Sequence, residues 1–130
     1  MKIHKDVISC DISTTIVEVA KMVRDKDVRH IYVVDEGKLV GVLAGIDIII
    51  HVVAEEKDYA ALTAKDVMEK DVKSVTEDQE DAYAYVIMRN FNTFTCPVVD
   101  ADGKLVGYVK FAEVCKDIDD KMQCVLPTEG

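Results

Sequence analysis

The sequence predicts an α+β fold built from two tandem β-α-β-β-α units, and two observations lead to that prediction. The pentapeptide GKLVG stands at residues 37–41 and returns at residues 103–107, each time shortly after Val-Val-Asp. Apolar residues follow the same succession of extended and helical spacings in both halves of the chain. A chain of 130 residues, 49% of them hydrophobic, has the size and composition of an ordinary globular domain.

The two halves stay in register over most of their length, which indicates a tandem duplication. An offset of 65 residues carries Val33 onto Val98 and the pattern KDVxS at residues 5–9 onto residues 70–74. One additional turn residue in the second copy raises the offset to 66 from the GKLVG pentapeptide onward. Chance similarity seldom preserves register over two half-chains.

Each copy opens with an extended stretch, at residues 7–10 and 72–75, and continues into a helix. A polar cap is expected at Ser13 in the first copy and at Asp78 in the second, because short polar side chains satisfy the first amides of a helix. Apolar spacings of three and four residues predict the inner faces of these helices, which are Ile16, Val19, Ala20 and Val23 in the first copy and Ala84, Tyr85 and Met88 in the second.

A hairpin follows the helix in each copy. Residues 31–34 and 39–43 are rich in β-branched and aliphatic side chains and flank a turn at residues 35–38. Gly37 supplies the positive φ that a tight hairpin turn needs. Residues 101–104 form the corresponding turn of the second copy.

A second helix closes each copy, and residues 54–65 join the copies as a helix end and connector. In the first closing helix Ile48 and Val52 point away from the predicted inner stripe, so this helix is either sandwiched within the monomer or buried by another subunit. The predicted inner stripes are Ile46, Ile49, Ile50 and Val53 in the first closing helix, and Phe111, Val114, Cys115, Ile118 and Met122 in the last.

Charge and composition exclude several function classes. A net charge of −9 argues against a nucleic-acid partner, because phosphate backbones are bound by basic surfaces. No apolar run approaches the length that crosses a membrane, and the first ten residues lack the apolar core of a signal peptide. The default expectation is therefore a cytosolic protein. The four cysteines and three histidines show no metal-binding spacing, so no metal site is expected.

The duplicated motifs resemble those of the CBS domain pair, a module named after cystathionine β-synthase and also called a Bateman module. The resemblance rests on DVM at residues 66–68, PVVD at residues 97–100 and the repeated GKLVG. An acidic residue also stands six positions after the second glycine of each GKLVG, at Asp47 and Glu113. None of these features is specific alone, but their duplicated order is.

This resemblance implies one integrated module, divided into a first CBS motif at residues 1–56, a connector at 57–66, a second CBS motif at 67–126 and a tail at 127–130. The two units would pack around a pseudo-two-fold axis with two clefts between them. Many family members bind AMP, ADP, ATP or S-adenosylmethionine there, and many dimerise through their helices. Most are regulatory parts of larger proteins, so a stand-alone regulatory module is implied here.

The resemblance also implies a site in the first copy. Ligand-binding members carry Ser/Thr-x-x-Asp at the start of the second helix, and this chain has Ala44-Gly45-Ile46-Asp47, which keeps the aspartate and loses the hydroxyl. Asp47 would hold ribose hydroxyls, or it would only stabilise the helix dipole. Gly45 would let a ligand approach the backbone closely. The other expected contacts are His30 and Arg29 for phosphate, Ile31 and Tyr32 beside adenine, and Ser9 and Cys10 at the cleft mouth.

Two of these first-copy residues have a structural alternative. His30 is equally explained as a half-buried histidine at a strand end. Tyr32 stands where relatives usually have proline, so it either stacks on a base or fills the pocket.

The corresponding site in the second copy is weaker, because both motif positions have changed. Lys110 replaces the hydroxyl residue and either meets phosphate or is solvated, and Glu113 is one methylene longer than aspartate. The remaining residues expected at this site are Ser74, Val75, Thr95, Cys96 and Pro97.

Three hypotheses follow from the sequence. The first is a non-catalytic homodimeric module that needs no cofactor, binds an adenine-containing regulatory ligand and acts on an unknown protein. The second is a protein-interaction or dimerisation module with degenerate clefts. The third is a small enzyme or thiol sensor that uses Cys10 and Cys96, but no nucleophile-base pair or phosphate-binding glycine loop supports catalysis.

Overall fold

The computed structural model describes residues 1–118 of the chain, and Met122 and the tail at 127–130 lie outside them. The chain forms two compact units, one of which is Ile8–Val72 and is called unit 2 below. Among the described residues, unit 1 contains Met1–Val7 together with residues 73–118. Each unit has one three-stranded sheet with helices, which confirms the predicted α+β class and the tandem repeat. The unit boundaries differ from the motif boundaries, because residues 1–7 join the second repeat.

Unit 2 contains the first repeat. Its sheet has the order β1-β2-β3, in which β1 is parallel and β3 antiparallel to the central strand. The elements are β1 (Ser9–Asp11), α1 (Ile16–Lys26), β2 (His30–Asp35), β3 (Lys38–Ala44), α2 (Gly45–Ile48), a π-helical turn (Ile49–Val53), a 3₁₀ turn (Tyr59–Ala61) and α3 (Ala64–Val67).

Unit 1 repeats this connectivity. Its sheet has the order β4-β5-β6 with the same parallel and antiparallel pairings. The elements are β4 (Val75–Thr76), α4 (Asp81–Phe91), β5 (Thr95–Val99), β6 (Leu105–Lys110) and α5 (Phe111–Asp117).

The first helix of each repeat begins two residues later than its sequence suggests. Thr15 caps α1 by accepting a hydrogen bond from the Glu18 amide at 3.2 Å. Ser13 instead donates to Asp11 in the preceding turn. In the second repeat Asp78 accepts from the Thr76 hydroxyl, and α4 starts after Glu80. Short polar side chains favour turns as strongly as caps, which is why the sequence pointed to the wrong polar residue.

The hairpin turns are confirmed and differ in length. Glu36 and Gly37 both have positive φ, at 52° and 85°, so the first hairpin turns in two residues. The second turn carries the extra residue, and the Asp100 carboxylate organises it by accepting from the amides of Asp102 and Lys104.

Each unit has its own buried apolar cluster, centred on the helix and hairpin of that repeat. Most of the predicted helix faces contribute, but Ala20 is exposed and Val23 is only partly buried. The buried residues of these clusters include Ile16, Val19, Ile31, Val33 and Leu43 in unit 2, and Ala84, Met88, Cys96, Val98, Phe111 and Val114 in unit 1.

The closing helix of the first repeat consists of α2 and the π-helical turn that follows it, residues 45–53. The prediction of its inner face was wrong. Ile48 and Val52 pack against the unit 2 cluster, and Val52 is 1% exposed. The four residues of the predicted inner stripe are instead 49–66% exposed. The segment is apolar on nearly all sides, so its periodicity did not distinguish the core face from the outer face.

Two segments cross the hairpins at corresponding glycines. In unit 1, His4 forms an antiparallel bridge to Tyr108 on β6 next to Gly107. In unit 2, Glu69 forms the same bridge to Val42 on β3. Each crossing segment therefore precedes one repeat in the chain and packs on the other repeat, which explains where the units divide.

Candidate functional site

The residues expected at the first site converge at one edge of the unit 2 sheet. His30 opens β2 and pairs with Ala44, the last residue of β3. Ser9 on β1 pairs with Tyr32 on the central strand. The chain then turns from Ala44 into α2, so strand ends and a helix start meet at this edge.

Asp47 has a structural role at this edge. Its Oδ2 atom accepts a hydrogen bond from the Ala44 amide at 2.8 Å, which closes the first turn of α2. The side chain is half-buried. Within the described residues its Oδ1 atom accepts no hydrogen bond, so the carboxylate can serve the helix and still accept from a ligand.

His30 lies close enough to Asp47 for their charges to interact. Burial lowers the pKa of His30, the Asp47 carboxylate opposes this, and the Arg29 guanidinium lowers the pKa further. The imidazole is therefore neutral near pH 7 and acts as a hydrogen-bonding group. The positive charge of this edge comes from Arg29, which is exposed.

The remaining first-site residues differ in accessibility. Ile31 is fully buried, and Tyr32 and Cys10 are 6% and 7% exposed. Little of the Tyr32 ring is therefore accessible to a ligand. At Gly45, by contrast, no atom lies within 4 Å of the position that a Cβ would occupy, so the backbone there is open to an approaching group.

In the second repeat the acidic residue that corresponds to Asp47 already has partners. Glu113 Oε1 lies 2.5 Å from His4 Nε2, and Glu113 Oε2 lies 3.4 Å from Lys2 Nζ. The His4 hydrogen bond lowers the pKa of Glu113. Neither Lys2 nor His4 was predicted at this site. The repeat offset of 65 aligns His4 with Glu69, and because Glu69 bridges to β3, the same offset would have placed His4 beside β6.

The other second-site residues form the matching edge of unit 1. Thr95 opens β5 and pairs with Lys110, whose side chain is exposed at the end of β6. Cys96, Pro97 and Val75 are buried in the sheet, and Ser74 just before β4 is half-buried.

The buried thiols do not have the properties of redox sensors. Burial raises the pKa of Cys10 to about 11 and that of Cys96 to about 12, which keeps both neutral. Both are free thiols. Among residues 1–118, no three His, Cys, Asp or Glu side chains are grouped closely enough to hold a metal ion.

An apolar groove of about 420 Å³ lies on the helical side of unit 2, between α1 and the closing helix. Its wall includes Val52, Val53 and Tyr59, with Lys21 and Arg24 contributed by α1. On the closing helix, Ile46, Ile49 and Ile50 are also exposed and give this helix further apolar surface. None of the helices in the part of the chain described is long and apolar enough to cross a membrane.

The chain is similar in sequence to known proteins. The family model for the CBS domain matches residues 2–54 and 64–120. An uncharacterized protein of Methanopyrus kandleri is 31% identical over 85% of this chain, which spans 57% of that protein's length.

The solved structures that share this fold include the following two. The cytosolic domain of the Mg²⁺ channel MgtE in complex with ATP has a TM-score of 0.74 and 26% identity, over 89% of this chain and 46% of that one. The CBS domain pair of protein MJ0100, in complex with 5′-methylthioadenosine and S-adenosyl-L-methionine, has a TM-score of 0.70 and 28% identity, over 89% and 93% of the two chains.

Proposed function

The chain belongs to the CBS domain family, and on that basis we propose that it is a non-catalytic regulatory module whose unit 2 binds an adenine-containing ligand. The observation that carries this proposal is the arrangement of Asp47, His30 and Arg29 at one edge of the unit 2 sheet. The ligands held by MgtE and MJ0100 support the chemical class, which includes AMP, ADP, ATP and S-adenosylmethionine.

Each group at this edge suits one part of such a ligand. The Oδ1 atom of Asp47 can accept from ribose hydroxyls while Oδ2 stays on the Ala44 amide. Arg29 supplies a cation for phosphate or carboxylate, and neutral His30 supplies a directional hydrogen bond. The missing hydroxyl at Ala44 removes one phosphate contact, which favours ligands that rely on the ribose and base.

The exposed apolar face of the closing helix supports a homodimer formed through helices. Its residues, Ile46, Ile49, Ile50 and Val53, are too exposed to contribute to the unit 2 core, and Val53 also lines the apolar groove. This face also supports the second candidate function, a ligand-independent interaction module. A cytosolic location and a regulated protein partner belong to the proposal as well.

A thermal-unfolding scan against AMP, ADP, ATP, S-adenosylmethionine and NAD tests the ligand proposal. A ligand that binds only the native state stabilises it by about 2.7 kcal/mol at a hundredfold excess over Kd, which raises the melting temperature by several degrees. We expect Asp47→Ala to abolish this shift.

Asp66→Ala is the matched control. Asp66 Oδ2 accepts from the Thr63 amide at 2.9 Å, as Asp47 Oδ2 does from the Ala44 amide, so both substitutions remove the same kind of helix cap. Only Asp47→Ala should lose the ligand-induced shift. Absence of any shift in the unsubstituted protein would favour the interaction module, and equal loss in both variants would remove Asp47 from the site.

A further inference from the structure

Asp47 and Glu113 occupy the same position of the two repeats but have different partners. An offset of 66 residues relates them, and each stands third in the helix that follows its hairpin. Asp47 bonds to the first turn of its own helix. Glu113 instead bonds to side chains of residues 1–7, which we call the N-terminal strap.

The N-terminal strap is fixed to β6 by several contacts around His4. The His4 amide donates to the Tyr108 carbonyl at 2.8 Å, and the Tyr108 amide donates to the His4 carbonyl at 3.0 Å. The two rings stack with their centroids 5.1 Å apart. This backbone pairing directs the His4 imidazole to Glu113, and Lys2 reaches the second carboxylate oxygen.

The corresponding segment of unit 2 lacks these cations. Glu69 takes the place of His4 in the bridge to β3, and Val67 takes the place of Lys2. The Glu69 carboxylate accepts from the Asp71 amide, and Val67 is buried. At these two positions the crossing segment of unit 2 therefore has no positive side chain that could pair with Asp47.

We propose that the N-terminal strap is an internal occupant of the Glu113 position, which His4 and Lys2 keep closed in unit 1. A ligand that uses this carboxylate must first displace the strap, whereas the carboxylate of Asp47 is open. Provided that the proposed function holds, the protein binds one adenylate per chain, and release of the strap opens a second site.

The first arm of the test needs no ligand. NMR hydrogen exchange at the amides of His4 and Tyr108 reports opening of the strap directly. Glu113→Ala should accelerate exchange at both amides by roughly twofold to fivefold, the range expected from losing a part-exposed ion pair. Asp117→Ala removes an exposed carboxylate from the same helix and should leave both rates unchanged. Unchanged exchange rates in Glu113→Ala would overturn the proposal that Glu113 holds the N-terminal strap.

The second arm counts ligands by calorimetric titration with AMP, ATP and S-adenosylmethionine. We expect one equivalent per chain for the unsubstituted protein and two for the double variant Lys2→Ala/His4→Ala. Two equivalents in the unsubstituted protein, or one in both proteins, would overturn closure of Glu113. If none of the three binds to either protein, the proposed function fails in this range, and the exchange experiment alone decides whether the strap is held by Glu113.

Discussion

Replacing Gly107 by alanine tests whether close approach of the N-terminal strap holds unit 1 together. A Cβ at Gly107 would lie 2.4 Å from the carbonyl oxygen of His4 and 2.8 Å from Ile3 Cγ2. The nearer atom belongs to the backbone, so the strap itself must move away from β6. The two hydrogen bonds between His4 and Tyr108 would then be broken or lengthened.

The expected destabilisation follows from those two hydrogen bonds. Each contributes about 1 kcal/mol net, so their loss costs about 2 kcal/mol. Replacing glycine by alanine recovers about 0.5–1 kcal/mol by restricting the unfolded chain. Gly107→Ala should therefore lower the free energy of unfolding by about 1–1.5 kcal/mol, and more where the packing of Ile3 is also lost.

Urea unfolding monitored by circular dichroism gives this change from the shift in midpoint at constant slope. Gly41→Ala is the matched variant in unit 2, where the Cβ would meet the flexible Met68 Sδ at 2.6 Å and the Glu69 carbonyl oxygen at 3.0 Å. Because Met68 can rotate away, this variant should lose less than about 1 kcal/mol. Equal losses in the two variants, or a Gly107→Ala protein as stable as the unsubstituted one, would refute the reasoning.

Two further predictions concern burial. At pH 8 the native thiols should react with iodoacetamide more slowly than in urea, by roughly a hundredfold for Cys10 and roughly a thousandfold for Cys96, because burial raises the two pKa values to about 11 and about 12. Comparable rates in the two conditions would contradict this. Val52→Ala should lower the free energy of unfolding by about 2 kcal/mol, whereas Val53→Ala, at a side chain 66% exposed, should change it by less than about 0.5 kcal/mol. Chemical denaturation at a concentration where the protein is monomeric compares the two valines, and similar losses would mean that the core face of the closing helix is misassigned.

Much of the fold could be predicted because it depends on local chemistry. The hairpin around Gly37 follows from a turn that requires positive φ, and the helix face of Ile16 and Val19 follows from apolar spacing next to polar residues. The duplication strengthened each assignment, since a pattern seen in one repeat could be checked against the other.

The closing helix of the first repeat could not be oriented from its sequence. Residues 46–53 are apolar on both faces, and only contact with the rest of unit 2 placed Val52 inside and Ile49 outside. The candidate site shows the same limit. Sequence identified Glu113, but its partner His4 lies 109 residues away, and no local pattern connects them.

By itself, the sequence determined the elements, their order and the duplication, because turn geometry and side-chain periodicity act between near neighbours. Tertiary structure decided which segment crosses which repeat, because backbone hydrogen bonds between distant strands carry no signature in the side chains. It thereby decided that Asp47 retains an open carboxylate oxygen while Glu113 is paired with His4 and Lys2. Two positions that are equivalent in the repeat thus differ through the charges that the fold brings to them.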